Sequence, residues 1–298
     1  MTISAYADRR ATSAESRPFT ILSSNPGKRA AERYYFVFFL ISLPIQAWFN
    51  RKLSYSQPND LLLGTQGILI GAGAWFGSLV FRAAEDRGKP FYEVYGFKLG
   101  CFLSIWAMVG GYLGTDPWYE VLHGHFAFNT EWNPNGVPFF MLPLTIAVFG
   151  AYTALLGSLF RMVWWIYEKV RIAALPDFLV KVIVILPLAA LMPLVETKYY
   201  MSPNYCFDDP TGQWFLNVFI YGSWQFTALL FYTAFDETPG DRQPWPSYFV
   251  RGFATVGIVL FLMQLITDGM APHFTEVHRG VRNINDWSAD NCLGPRPK

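Results

Sequence analysis

Seven stretches of about twenty mostly apolar residues divide this chain, and that is the length an α-helix needs to cross the hydrocarbon core of a bilayer. They are predicted at 32–50, 60–81, 97–115, 137–160, 176–195, 214–235 and 247–267. The aromatic run Met162-Val163-Trp164-Trp165-Ile166-Tyr167 extends the fourth at the interface. In lipid every backbone N–H and C=O must be satisfied inside the protein, so such stretches fold as helices. The expected fold class is all-α: a polytopic membrane protein with about seven transmembrane helices in one bundle. A polar segment (1–30) precedes a membrane domain (31–270), and a polar tail (271–298) follows it.

Charge supports this reading. Only 15% of the residues are charged, against about 25% in soluble domains. The net charge is +1 with no basic stripe, which argues against a nucleic-acid partner. The 11 Trp, 16 Tyr and 27 Phe suit interfacial belts, and equally a pocket for a flat, greasy ligand. Residues 1–30 lack an apolar core, so no cleavable signal peptide is expected and the first span acts as its own insertion signal. Pro44, Gly110-Gly111, Pro143, Pro187 and Pro193 fall inside spans, where neighbouring helices must satisfy the freed backbone groups.

Lys and Arg concentrate on one set of connections. Lys28, Arg29 and Arg33 precede or open the first span. Arg82, Arg87 and Lys89 lie between the second and third, and Arg161, Lys169 and Arg171 between the fourth and fifth. The 116–136 connection has none. By the positive-inside rule the N-terminus is expected in the cytoplasm, of an inner membrane in a bacterium or of the endoplasmic reticulum in a eukaryote.

Charged groups in or at the ends of spans are costly unless paired or lining a cavity, so they mark where function is sought. On the expected cytoplasmic side these include Glu32, Asp86, Arg87, Lys98, Asp236 and Glu237. Glu196 closes the fifth span on the far side. It has two readings: a carboxylate in interfacial water, or a carboxyl facing the bundle, raised in pKa by desolvation and able to act as a general acid. Asp236-Glu237 is a second acidic candidate. Asp177 and Lys181 have the spacing of a helical ion pair. His123-Gly124-His125 lacks metal-ligand spacing. Cys101, Cys206 and Cys292 have neither metal nor redox spacing. No metal or cofactor is expected.

A collinear series of short motifs resembles the cycloeucalenol cycloisomerase family of cyclopropyl sterol isomerases. Asn25-Pro26-Gly27-Lys28-Arg29, Glu32 and Tyr34-Tyr35-Phe36 resemble that family's opening. Asp86-Arg87 then precedes Tyr95-x-x-Lys98. Gly110, Tyr112, Thr115 and Val121-Leu122 follow, and Trp132-x-x-Asn135-x-Val137-Pro138 comes next. Leu194-x-Glu196-Thr197 resembles the family's Leu-Glu-Thr with one residue inserted. Pro203, Tyr205, Phe207 and Asp209 lead to Asp236-Glu237. The likeness spans about 23–270 and leaves both tails outside.

The resemblance implies opening of the 9,19-cyclopropane ring of a sterol, cycloeucalenol to obtusifoliol in type, without redox change or cofactor. A proton goes to the bridging carbon, a tertiary cation forms at the ring junction, and a neighbouring proton leaves. It implies Glu196 as the proton donor, with Asp236 as the secondary catalytic candidate. Tyr112 and Trp132 would sit near the cation, where cation–π attraction is worth about 2 kcal/mol when desolvated. Asn135 or Thr115 would hold the sterol hydroxyl, and Tyr205 completes the substrate-binding set. Glu32, Asp86, Arg87, Lys98 and Glu237 are structural or secondary. The sterol would arrive from the bilayer, with membrane lipids the other partners. The rival classes are a non-catalytic sterol-binding or carrier protein and another sterol double-bond isomerase. A transporter built from two related halves is disfavoured, because no internal repeat is visible.

Overall fold

A computed structural model describes residues 19–53, 60–126, 128, 130–170, 176–199, 205–207 and 214–277. For Glu196 and Tyr205 it describes the backbone only. The chain is an all-α polytopic membrane protein. Seven long rods occupy the seven expected stretches. They are α1 (Pro26–Leu53), α2 (Asp60–Val80), α3 (Tyr95–Leu103), α6 (Met141–Val170), α7 (Asp177–Tyr199), α8 (Trp214–Tyr232) and α9 (Trp245–Leu265). α3 continues through a π-helical turn, Ser104–Val109, into the short α4 (Gly110–Leu113), and α5 (Asp116–Glu120) follows.

Five of these rods are long and apolar enough to cross a membrane: Asp60–Val80, Tyr95–Leu113, Pro134–Lys169, Asp177–Val195 and Trp245–His273. α1 and α8 are not in that set. Their polar positions explain why: α1 carries Glu32, Arg33, Pro44 and Gln46, and α8 carries Asn217 and Gln225. α1 runs beyond its expected span at both ends and α6 beyond its expected end, while α2 and α8 stop short of theirs and α6 begins later. α1 starts at Pro26 because Asn25 caps it, its side-chain oxygen accepting from the backbone N–H groups of Gly27 and Lys28.

The contacts divide the bundle into two ends. At one end the start of α1, the end of α2, the start of α3, the later part of α6 and the α8–α9 turn meet. The Trp75 indole donates to the Phe97 carbonyl, and Lys28 reaches Glu237. At the other end Asp60, opening α2, accepts from the N–H groups of Glu131 and Trp132. There two three-residue strands, β1 (Gly124–Phe126) and β2 (Tyr205–Phe207), pair antiparallel with His125 opposite Cys206. The ladder ties the α5–α6 connection to the α7–α8 connection. Among the described residues it is the one departure from a purely helical reading, and three residues a side are too few to show an alternating pattern.

α6 and the α3–α4 rod form the centre: their apolar windows are 72% and 61% buried, against 28% for α7 and for the α9 segment. Trp106 and Phe102 are fully buried and stack on each other, and Phe149 meets Trp106 edge-on. On α1, Val37, Ile41, Ile45 and Trp48 recur at helical spacing and stay at least half exposed, as do Leu69, Ile183 and Phe261. An apolar exterior around a packed, aromatic interior is what a lipid solvent allows.

Small residues set the closest approach. A Cβ on Gly67 would fall on the carbonyl of Phe140, and one on Gly71 on that of Pro143. α2 therefore lies backbone to backbone on the opening of α6, the close packing that glycine permits between membrane helices. Gly71→Ala should separate the two helices at a cost of about 1–3 kcal/mol. The check is a fall of several degrees in thermal midpoint in detergent, with Gly257→Ala, where nothing lies within 4 Å, as the control that leaves it unchanged.

Candidate functional site

The residues that bear charge converge at one end of the bundle. Lys28 is completely buried. Its Nζ donates to the carbonyls of Tyr232 and Phe235 at 2.7 and 2.8 Å and to Glu237 Oε2 at 2.5 Å. It also lies 4.1 Å from the centroid of the Tyr232 ring. The Tyr232 carbonyl closes α8 and that of Phe235 lies just beyond it, where the negative end of the helix dipole favours a cation. A lysine needs three acceptors, and here it has them all.

Arg161 joins two carboxylates. Its Nη2 donates to Glu32 Oε1 at 2.5 Å, and its Nε donates to Glu237 Oε1. Glu32 is fully buried and also accepts the Tyr232 hydroxyl at 2.6 Å and the Ser23 N–H at 3.0 Å. A second pair lies beside the first: Lys98 Nζ donates to Asp236 Oδ2 at 2.7 Å and to the Gln243 carbonyl at 2.8 Å. Asp236 Oδ1 accepts the Gln243 N–H at 2.9 Å. Asp236 adopts a left-handed backbone at φ 37°, which turns the chain between α8 and α9 and presents its carboxylate to Lys98. Burial alone would raise the pKa of Glu237, but Lys28 and then Arg161 hold it below its ordinary value of 4.5.

Asp86 pairs with Lys89 through Oδ1. Gly27 is required beside it, because a Cβ there would stand 2.8 Å from Asp86 Oδ2. Asp86, Lys98 and Asp236 share a cleft of about 470 Å³ with Asn25, Gly27 and Tyr95. The cleft opens at the ion-pair end. Arg87 is exposed.

The predicted substrate-binding residues lie at the opposite end. Asn135, left-handed at φ 53°, donates from Nδ2 to the Tyr112 carbonyl at 2.5 Å and to Thr115 Oγ1 at 2.9 Å. Thr115 is buried, while Tyr112 and Trp132 are 41% and 51% exposed. Trp132 stacks on Phe139 with centroids 4.0 Å apart and covers Gly64. Tyr112, Thr115 and Asn135 thus form one joined group, with the polar atoms of Thr115 and Asn135 directed at each other and at backbone. The side chains of Glu196 and Tyr205 fall outside the described residues.

Glu196 and Asp236 are separated by the length of the bundle. α7 begins at Asp177 beside the ion-pair end, and about twenty residues of helix, roughly 30 Å, carry it to Glu196. The two carboxyls cannot act on one carbon atom, so they are alternatives and not an acid–base pair. Lys181 lies 5.7 Å from the centroid of the Trp164 ring, so the expected Asp177–Lys181 pairing omits its aromatic partner. His123 Nε2 is 2.9 Å from the Glu276 carbonyl. Among the described residues no three His, Cys, Asp or Glu side chains are placed to share a metal ion.

Sequence reasoning missed Lys28, Arg161 and Tyr232 as members of the ionic site. Arg161 entered only as a positive charge that orients the chain, and Lys28 as such a charge and as part of the opening motif, with no partner assigned to either. The available signal was their position: each stands next to an apolar run, where an unpaired charge would be costly. No protein-family profile, curated protein or solved structure matches the chain.

Breaking the buried pair on one side should destabilise more than replacing both partners. Lys98→Met leaves Asp236 without its cation and should cost about 3–5 kcal/mol. Lys98→Met combined with Asp236→Leu should recover much of that in a chemical-denaturation midpoint. For Glu237 the folded pKa lies below the unfolded one, so its contribution is complete above about pH 4.5 and is lost as pH falls through the folded value. Glu237→Gln should therefore destabilise at pH 7, and the difference from the wild type should shrink progressively as pH is lowered below about 4.5, read by thermal melts across that range.

Proposed function

We propose that this chain is a membrane-embedded isomerase that opens the 9,19-cyclopropane ring of a cyclopropyl sterol by acid–base catalysis without a cofactor. One observation carries the reading. The motifs on which the family resemblance rests are scattered over more than two hundred residues. Asn25, Gly27, Lys28, Glu32, Asp86, Tyr95, Lys98, Asp236 and Glu237 nevertheless converge on one buried network and the cleft beside it. Tyr112, Thr115 and Asn135 join in a second group at the opposite end, where Trp132 stacks on Phe139. Unrelated fragments would have no reason to converge twice.

The chemistry divides between these groups. Ring opening needs a carboxylic acid that still holds its proton. Glu32, Asp236 and Glu237 each accept from a lysine or arginine; they hold helices together and are poor donors. Glu196 is the proton donor in this proposal, at the end where Tyr112, Trp132 and neutral polar groups stand. It protonates the bridging carbon and one cyclopropane bond breaks. The tertiary cation left at the ring junction is met by aromatic faces, and loss of an adjacent proton places the double bond and completes the isomerisation. No atom or electron is gained overall. The sterol reaches this end from the bilayer. Because lysines and arginines gather at the ion-pair end, that end is assigned to the cytoplasm and the Glu196 end to the opposite face.

Glu196→Gln should abolish conversion of cycloeucalenol in a sterol-bearing host that lacks this activity, as followed by gas chromatography of membrane sterols. The same variant should keep the wild-type elution profile in detergent. Near-normal turnover by the variant removes Glu196 from the role. Binding of the cyclopropyl sterol by the wild-type protein with no product at all favours a sterol carrier instead.

A further inference from the structure

Among the described residues of the proposed site, Trp132 is the most exposed, at 51%. Its indole rests on Phe139, with ring centroids 4.0 Å apart and planes inclined by 20°. The stacked pair stands over Gly64 of α2, where a Cβ would meet the indole at 3.4 Å and Phe139 at 3.7 Å. Stacking adds only modestly to what burial provides. A half-exposed ring on a loop therefore keeps its place only if the backbone beneath it is held as well.

That backbone is held from α2. Asp60, the first residue of the helix, accepts with Oδ1 from the N–H groups of Glu131 and Trp132, each at 3.0 Å, and from the Thr130 hydroxyl. Thr130 Oγ1 in turn accepts from the Trp132 N–H at 3.3 Å. The Trp132 carbonyl accepts the Phe139 N–H at 2.9 Å, which closes the loop on the residue that carries the indole. Asp60 and Gly64 are four residues apart, so the anchor and the floor under the ring share one face of α2. A carboxylate accepts such bonds more strongly than a neutral group does, and in the first turn of a helix its charge meets the positive end of the dipole. The same loop reaches Tyr112 through Asn135 Nδ2. Asp60 thus fixes Trp132 relative to the second aromatic residue of the site. We propose that Asp60 is a positioning residue for ring opening: it holds the backbone at Trp132 so that the indole stands where the ring-junction cation forms. The proposal rests on the isomerase reading. Asp60 touches no atom of the sterol and acts through Trp132.

The test uses the full chain, labelled with fluorotryptophan, reconstituted in nanodiscs and read by fluorine NMR. The Trp132 resonance is assigned by its loss in Trp132→Phe. It should be a single line in the wild type and should broaden or split in Asp60→Ala, with the other tryptophan resonances unmoved. Asp60→Asn keeps an acceptor oxygen without the charge and should restore the line. Thr130→Val, which removes only the hydroxyl, should give a smaller change of the same kind. Turnover of cycloeucalenol by the same proteins gives the second readout. Asp60→Ala should lower kcat about tenfold or more with little change in KM, as expected for a contact that matters only in the transition state. Asp60→Asn should recover most of that loss, and Asp60→Ala should cost nothing further in a Trp132→Ala background. A Trp132 line unmoved in both Asp60→Ala and Thr130→Val overturns the proposal. So does a kcat loss that Asp60→Asn does not restore, which would make the charge itself the agent, or losses that add in the double variant. A wild type that converts no cyclopropyl sterol defeats the isomerase reading instead, and the resonance then still decides whether Asp60 holds Trp132.

Discussion

The bundle depends on a small ionic knot that ties helices distant in sequence. In a membrane, lipid tails are as apolar as leucine, so burying apolar surface between helices gives little net drive. Specific polar contacts and close packing must choose the neighbours. Arg161 on α6 joins Glu32 on α1 to Glu237 beyond α8, and Lys28 on α1 returns to Glu237 and to the Tyr232 carbonyl that closes α8. Such charges lose their hydration on burial, and removing one partner would leave the others stranded. That asymmetry makes the knot a specifier: a bundle in which α1 or α8 took another neighbour would bury the same charges without partners.

The two ends of the molecule follow different rules as a result. The ion-pair end is rigidly committed, with Ser23, Ser24 and Asn25 also donating to the carbonyls of Glu237 and Thr238 to hold the start of the chain on the α8–α9 turn. The opposite end is built from neutral hydrogen bonds around Thr115 and Asn135, from the Asp60 carboxylate accepting loop N–H groups, and from a three-residue ladder. A carboxyl that must keep a proton belongs in surroundings of the second kind, because a nearby cation favours its charged form. That reasoning, and not the number of acids, is why Glu196 and not Asp236 is proposed as donor.

Much of this fold is legible in the sequence because the bilayer simplifies the problem. The apolar pattern placed all seven rods near their observed ranges, and five of them are long and apolar enough to cross a membrane. What it missed follows from its blindness to partners. α1 begins earlier than its apolar run because Asn25 caps it and Lys28 is neutralised inside the fold. The β1–β2 ladder depends on two loops meeting, which no local pattern encodes. The division of the family-matching residues into two groups was visible from alternating spans, but the Glu32–Arg161–Glu237 link was not. Arg161 looked like one more basic residue after a helix, and only the crossing of α1, α6 and the α8–α9 turn gives it a purpose.

That change of role bears on how the chain sits in its membrane. Lys28 and Arg161 contribute to the positive count that orients the protein, yet both are spent on Glu32 and Glu237. The two pairs are neutral together, and a neutral buried group offers little to the field that acts during insertion. Exposed cations at the same end include Arg33, Arg82, Arg87, Lys169 and Arg242, and these remain available to the charge asymmetry that orients membrane helices. Orientation and assembly therefore draw on different members of one basic population. The exposed ones leave their charge on the surface, and the buried ones tie α1 and α6 to the α8–α9 turn.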